Sequence, residues 1–414
     1  MGLAQLERHL MRRTTKFAGV GVAIAALALT ACAPTTAGPA ASEPAGSEGA
    51  AETVTVDVGM ITSITGPLAA YGASYQQGFE AGLDYATDGT GEIDGVELNI
   101  EWLDDQGNPD TAVNLAKDVI GQGFQIIGGS AASGVSLAVA EQAAQNNVLF
   151  LSGPAAADAI TGINDQTFRS GRQTLQDVAT AATFLDSVEG SNIVVFGQDN
   201  AFGQGNVASV EAVLGTEGAT VTPILVPEDA TEFTPFAQQI SAAAPDMVFV
   251  AWAGATTGAM WEALAQQQVL ESTTVVTGLA DRASYQAYGP GSGDIQFLNH
   301  YFPGSTDTEA AQAMDAFLEE HGYEADLFTP DGFVGAQMLV HAITEGTGDV
   351  DAMIGALEGW SFESVKGTLT IRAEDHALIQ PMFQVSLVEQ DGEWVPELIE
   401  IADAEAVAPP VAGQ

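Results

Sequence analysis

The sequence predicts an α/β protein of two similar lobes, each a parallel sheet flanked by helices. Three observations carry this. Short apolar runs alternate with helical stretches from Val54 to Leu151. The alternation restarts at Leu175 and continues to Thr277. Small-residue loops follow two of the runs: Gly128–Val135 after Phe124–Ile127, and Ser152–Ala157 after Val148–Leu151. Strands alternating with helices call for parallel pairing with right-handed crossovers. A chain of 414 residues also exceeds one ordinary core.

Near the start of the chain, Met11-Arg12-Arg13-Thr14-Thr15-Lys16 is a basic leader, followed by the apolar stretch Phe17–Leu29. That stretch is too short to span a bilayer and suits a secretory signal. Leu29-Thr30-Ala31-Cys32 resembles a bacterial lipobox cleaved before Cys32. Cys32 is the only cysteine, so no intramolecular disulfide forms, and lipidation gives the lone thiol a reason. Residues 33–53, rich in Pro, Ala, Gly, Ser and Glu, read as a flexible tether.

Net charge is −45, which argues against nucleic acid as a partner. Cleavage before Cys32 leaves Lys117, Arg169, Arg172, Arg282, Lys366 and Arg372 as the mature Lys and Arg residues. Each such cation in so acidic a chain has a question attached.

Val54–Ile61 is the first strand and a helix follows over 68–85. Val96–Leu103 is the second strand. Asp104-Asp105 reads as a turn pair, and Asp110 as the N-cap of a helix over 111–121. Strands at 124–127 and 148–151 enclose a helix over 135–145. The second string has strands at 193–196, 221–225, 247–250 and 275–277, with helices at 175–186, 205–214, 233–243 and 257–268. Further helices read at 308–321 and 331–345. From Thr368 the pattern turns to strand, through 383–388 and 394–399, the kind of late strands that complete an earlier sheet.

Catalytic patterns are weak. Gly128-Gly129-Ser130-Ala131-Ala132 lacks the closing glycine of a nucleophile elbow, and no histidine lies between His9 and His300. Gly203-Gln204-Gly205-Asn206-Val207-Ala208 matches a dinucleotide fingerprint but sits in the second string, without the acidic partner. His300, His321, His341 and His376 lack metal-ligand spacing. The reading is therefore a binding protein with no catalytic residues, cofactor or metal. Small residues at strand ends let backbone groups approach a ligand closely, so the two loops are one wall of a cleft. Arg172 lies where the first string gives way to the second. It is either a fork for an anionic ligand or half of a structural salt bridge. Trp252 follows a strand end and either stacks on a ligand or packs in the core.

Val58–Gly72, Asp104-Asp105…Asn108-Pro109, Ile127–Gly134, Phe168-Arg169 and Phe202-Gly203-Gln204-Gly205, behind a lipobox, together resemble type I periplasmic solute-binding proteins of the leucine/isoleucine/valine class. The resemblance runs over nearly all of residues 54–400. It implies two Rossmann-like lobes with parallel sheets joined by three hinge crossovers, near 170–174, 298–302 and 362–368. The implied domains are a signal (1–31), a tether (32–53), lobe 1 (54–171 with 302–362), lobe 2 (172–301 with 363–401) and a tail (402–414). It further implies a monomer, lipid-anchored on the extracytoplasmic face, that serves the permease subunits of an ABC importer. Its ligand would be an amino acid or another small carboxylate; a ligand sensor on the same fold is the alternative. The resemblance assigns ligand contacts to Tyr71, Ser133, Gly134, Ala155, Ala156 and Phe202. The sequence departs from the pattern in two places. Ala156 stands where threonine is usual, and Ala280 stands where an acid takes the ligand's ammonium, unless Asp281 fills that place by a one-residue slip. Without that acid, a carboxylate lacking an amino group fits better.

Overall fold

The computed structural model describes residues 54–413 apart from Asp94, Asp186 and Thr347. The leader, Cys32 and the tether lie outside the described residues. The first sheet holds β1 (Val54–Thr62), β2 (Glu92–Ile93), β3 (Val96–Asp104), β4 (Ile126–Gly129), β5 (Leu149–Ser152) and β6 (Thr167–Arg169), in the order β2-β3-β1-β4-β5-β6. All its neighbours are parallel except β2 and β3.

The second sheet begins with β7 (Asn192–Gln198), β8 (Thr220–Val226), β9 (Met247–Ala251), β10 (Thr274–Gly278) and β11 (Ile295–Asn299), all parallel. A small antiparallel sheet follows, of β12 (Ser361–Ser364), β13 (Gly367–Ile371) and β14 (Leu378–Ile379). The late strands β15 (Met382–Gln390) and β16 (Glu393–Ala402) then return antiparallel to the second sheet, giving the order β16-β15-β11-β10-β9-β7-β8.

The uninterrupted apolar runs are explained by burial on both faces. In β5, Leu149 and Leu151 enter one hydrophobic cluster and Phe150 the opposite one. In β7, Val194 and Phe196 face one cluster, Ile193 and Val195 the other. On the first lobe, the helix Ala69–Ala86 packs against the helix Thr329–Gly346 with almost no space between them. A Cβ placed on Gly78 would lie 1.8 Å from the Thr329 carbonyl oxygen.

Some boundaries differ from the sequence reading. Asn108, not Asp110, caps the helix Pro109–Gln122, accepting the Thr111 N–H at 3.0 Å. The helix expected at 205 begins at Ala201, because Asn200 accepts the Gly203 N–H at 3.0 Å. The helix Val350–Leu357 and the 3₁₀ segment Arg282–Asp294 were not anticipated. Residues 363–379, expected in lobe 2, pack in lobe 1: Leu369, Ile371 and Leu378 share the cluster of Val58 and Leu149. The third crossover therefore comes after β14. Residues beyond β16 also leave the second sheet and dock on the β13–β14 turn. There Arg372 Nη1 donates to the Pro409 carbonyl at 2.7 Å, and the Ala412 N–H to Asp375 Oδ2 at 2.9 Å.

Candidate functional site

The carboxyl ends of both parallel sheets face a cavity of about 590 Å³. On the first lobe two carboxylates hold the cavity-side turns. Asp104 accepts the Ile64 and Thr65 N–H groups at 3.0 and 3.1 Å and the Thr65 hydroxyl at 2.6 Å. Burial alone would raise its carboxyl, but these bonds and that from Gln106 hold it below the usual carboxylate value. Asp105 is buried and accepts Ser63 Oγ at 2.6 Å, Ser130 Oγ at 2.5 Å and the Gly107 N–H at 2.6 Å. It ties the ends of β1, β3 and β4 together, so the pair is structural. Gly129 makes this junction possible. Its φ is +102°, and a Cβ there would lie 1.8 Å from the Ile61 carbonyl oxygen.

The helix Ser133–Asn146 starts at the cavity, and Ser133 and Gly134 line it. Its N-cap position is Ala132, which offers no side-chain acceptor to the first turn. The Ser133 hydroxyl accepts the Ala157 N–H at 3.3 Å, linking the two small-residue loops. Ala156 lines the cavity. Ala155 does not: it is fully buried, and its carbonyl accepts Arg169 Nη2 at 2.8 Å. Tyr71 lines the wall edge-on to Phe328, centroids 5.1 Å apart. Burial, reinforced by Asp281, pushes its phenol well up, so it stays protonated.

The second lobe supplies Phe202, from the first turn of its helix, and Trp252, just after β9. Trp252 is packed on one side and open to the cavity on the other. Its ring packs 5.3 Å from both Phe196 and Phe233, its indole N–H donates to Thr256 Oγ1 at 3.0 Å, and its remaining surface faces the cavity. Asp281 does not line the cavity: its carboxylate accepts the Ser284 hydroxyl at 2.7 Å, and Ala280 lines the wall instead. The one-residue slip that would have restored an acid there does not occur.

Arg172 sits on the first crossover with its Nε 3.3 Å from Asp177 Oδ2, and both side chains line the cavity. Among the described residues no oxygen accepts from either terminal guanidinium nitrogen. Burial pushes the Asp177 carboxyl up to about 6, although Arg172 pulls the other way. The carboxylates on the cavity wall are Asp177 and Glu228; Glu228 is exposed at the rim and accepts Asn200 Nδ2 at 2.8 Å.

His300, which lacks metal-ligand spacing in the sequence, lines the cavity from the second crossover, stacked over Phe328 at 5.5 Å. Its Nε2 stands 3.4 Å from Asp331 Oδ2, and burial lowers its pKa, so it is neutral at pH 7. The signal that could have found it is position: it follows the strand end of β11, where a crossover must pass the cleft. Leu327, Phe328, Leu279 and Phe249 complete an apolar floor that no local motif announced. Among the described residues, no helix is long and apolar enough to cross a membrane, and no cluster of His, Cys, Asp and Glu is placed to hold a metal ion.

Comparisons with known proteins agree with this architecture. The family described as periplasmic binding protein matches residues 55–393. The Leu/Ile/Val-binding protein BraC3 of Rhizobium johnstonii is 24% identical over 302 residues, covering 72% of this chain and 81% of that protein. Leu/Ile/Val-binding protein homolog 3 of Brucella melitensis is 24% identical over 343 residues, 81% of this chain and 92% of that protein. Among solved structures, an ABC-type branched-chain amino acid transporter from Rhodopseudomonas palustris superimposes with a TM-score of 0.71 at 28% identity, covering 87% of this chain and all of that one. A solute-binding protein of the same organism, in complex with 4-hydroxybenzoate, gives a TM-score of 0.76 at 21% identity over 84% of this chain and 97% of that one. With the two-sheet topology and the shared cleft, the match over residues 55–393 makes this chain a member of the type I periplasmic binding proteins.

Proposed function

We propose that the protein is the extracytoplasmic solute-binding subunit of an ABC importer, tethered by a lipid on Cys32. In this reading its solute is a small carboxylate without an amino group. One observation carries the ligand class: Arg172 points an unengaged guanidinium fork at the cavity, while the position facing it from the Ala280 loop holds no acid. A fork of parallel N–H donors suits a carboxylate, and a charge-assisted bond in a dry cleft is about twice as strong as a neutral one. An ammonium left without an acceptor there would be costly to bury. The apolar floor of Leu279, Leu327 and Phe328 takes the hydrocarbon part of the solute. Closure of the two lobes about the crossovers buries the solute for presentation to a permease, and no bond is made or broken.

An α-amino acid is the second reading, favoured by the 28% identical structure of a branched-chain amino acid transporter. A thermal-shift screen of amino acids against simple organic acids separates the two. Stabilisation by monocarboxylates, lost in Arg172→Ala, is the expected result. Stabilisation by leucine or valine alone overturns the ligand class. Removing the Arg172 partner of a buried carboxylate should weaken binding by about 2 kcal/mol or more, roughly thirtyfold.

A further inference from the structure

Arg172 and Asp177 belong to a larger buried cluster at the crossovers. Arg169, on β6, is fully buried and interacts with Asp158, Asp177, Asp331 and Arg172. Lys366, before β13, is buried 3.7 Å from Asp331 Oδ1 and donates to Gln380 Oε1. His300 faces Asp331 and is neutral. The cluster thus sets Arg169, Arg172 and Lys366 against Asp158, Asp177 and Asp331: three positive charges and three negative. A carboxylate ligand on Arg172 adds one uncompensated negative charge to this dry region.

The three carboxylates are not equally able to accept a proton. Burial raises the Asp158 carboxyl, but the Leu175 N–H at 2.9 Å, Gln173 Nε2 at 3.0 Å and the Ser209 hydroxyl all donate to it and favour its ionised form. Lys366, 3.7 Å from Asp331 Oδ1, favours the ionised form of Asp331 against the effect of burial. Asp177 has Arg172 as its ion-pair partner and, among the described residues, no backbone donor. It also faces the cavity, so the ligand's carboxylate meets it directly across the shared guanidinium. Two carboxylates on one cation favour retention of one proton.

Resting on the carboxylate reading above, we infer that the protein takes up one proton on Asp177 when it binds its solute. The proton comes from solvent and the Arg172 fork passes from Asp177 to the ligand. Affinity is then highest in mildly acid medium and falls as pH rises toward 8. The direction of the Asp177 shift agrees, since burial already raises its carboxyl to about 6. Each unit by which the ligand raises that carboxyl further multiplies the low-pH affinity gain by about ten.

The test is calorimetry on the mature chain with a panel of monocarboxylates from acetate and 4-methylpentanoate to benzoate, in two buffers of different ionisation enthalpy. The expected result at pH 7 is uptake of a substantial fraction of a proton, with affinity falling severalfold between pH 6 and pH 8. Asp177→Asn should abolish the uptake, flatten the profile and bind at pH 8 as tightly as the parent does at pH 6. His300→Asn, at the other titrating wall residue, should retain the proton uptake whatever it does to affinity. No uptake in the parent, uptake that survives Asp177→Asn, or uptake erased by His300→Asn instead, overturns the inference. So does loss of binding in a folded Asp177→Asn, which would make Asp177 the acceptor of a ligand cation. Failure of the functional reading looks different: no monocarboxylate binds, or Arg172→Ala binds as well as the parent.

Discussion

Asp331 holds Oδ2 3.4 Å from His300 Nε2, fully buried, while the backbone of a different crossover presses on the same oxygen. A Cβ on Gly171 would lie 2.7 Å from it. Lys366 approaches the other oxygen at 3.7 Å from just after β12. One carboxylate therefore meets two crossovers and the β12–β13 turn, and neither of its oxygens makes a close hydrogen bond. Removing it would leave the buried Lys366 without its carboxylate partner and still facing Arg172. Asp331→Ala should destabilise the fold by about 3–5 kcal/mol in urea unfolding. A loss under 1 kcal/mol would show that the node contributes little.

The same node sets a pH dependence on the alkaline side. Burial pushes the Lys366 ammonium down to about 8 from its ordinary 10.5, more than Asp331 restores. Between those values the unfolded chain binds the proton and the folded chain does not. Stability should therefore rise with pH from about 8 to 10, with a slope approaching ~1.4 kcal/mol per unit. Lys366→Met should flatten that rise; an unchanged slope would assign it to other groups.

Gly78 lets the helices Ala69–Ala86 and Thr329–Gly346 touch backbone to backbone. Gly78→Ala forces a methyl into a space 1.8 Å from a carbonyl oxygen and should cost about 3 kcal/mol or more. Gly355, in the helix Val350–Leu357, has nothing within 4 Å of an added Cβ. Gly355→Ala should gain about 0.5–1 kcal/mol. Equal effects of the two substitutions would show that helix contact is not what selects Gly78.

Arg169 acts on the cleft without lining it. Its Nη2 holds the Ala155 and Ala157 carbonyls at 2.8 and 3.3 Å, and Ala157 in turn donates to Ser133 Oγ. Arg169→Lys shortens the reach and loses the fork. Affinity for the solute should fall by about 1–2 kcal/mol, as for one or two lost bonds to a charged group. Unchanged affinity in calorimetry would separate this loop from binding.

Cys32→Ser removes the only thiol available for lipidation. Cell fractionation should then find the protein in the soluble extracytoplasmic fraction. Retention on membranes would sink the anchor.

The sequence by itself determined the strands, their parallel pairing and the two-lobe plan. Runs such as Leu149–Leu151 and Ile193–Phe196 are local, and burial on both sheet faces leaves no other pattern for them. It also determined that the small-residue loops end at a cleft, since Gly129 and Ser133 sit where β4 stops. Tertiary structure alone decided which side chains meet there. Ala280 and Asp281 are neighbours in the chain, and only the turn into the 3₁₀ segment chose which faces the cavity. His300, Asp331, Arg172 and Lys366 come from distant stretches, and no spacing rule joins them. They meet because burying a charge demands an opposite one, and the fold brings the crossovers, the helix Thr329–Gly346 and the β12–β13 turn to a single point.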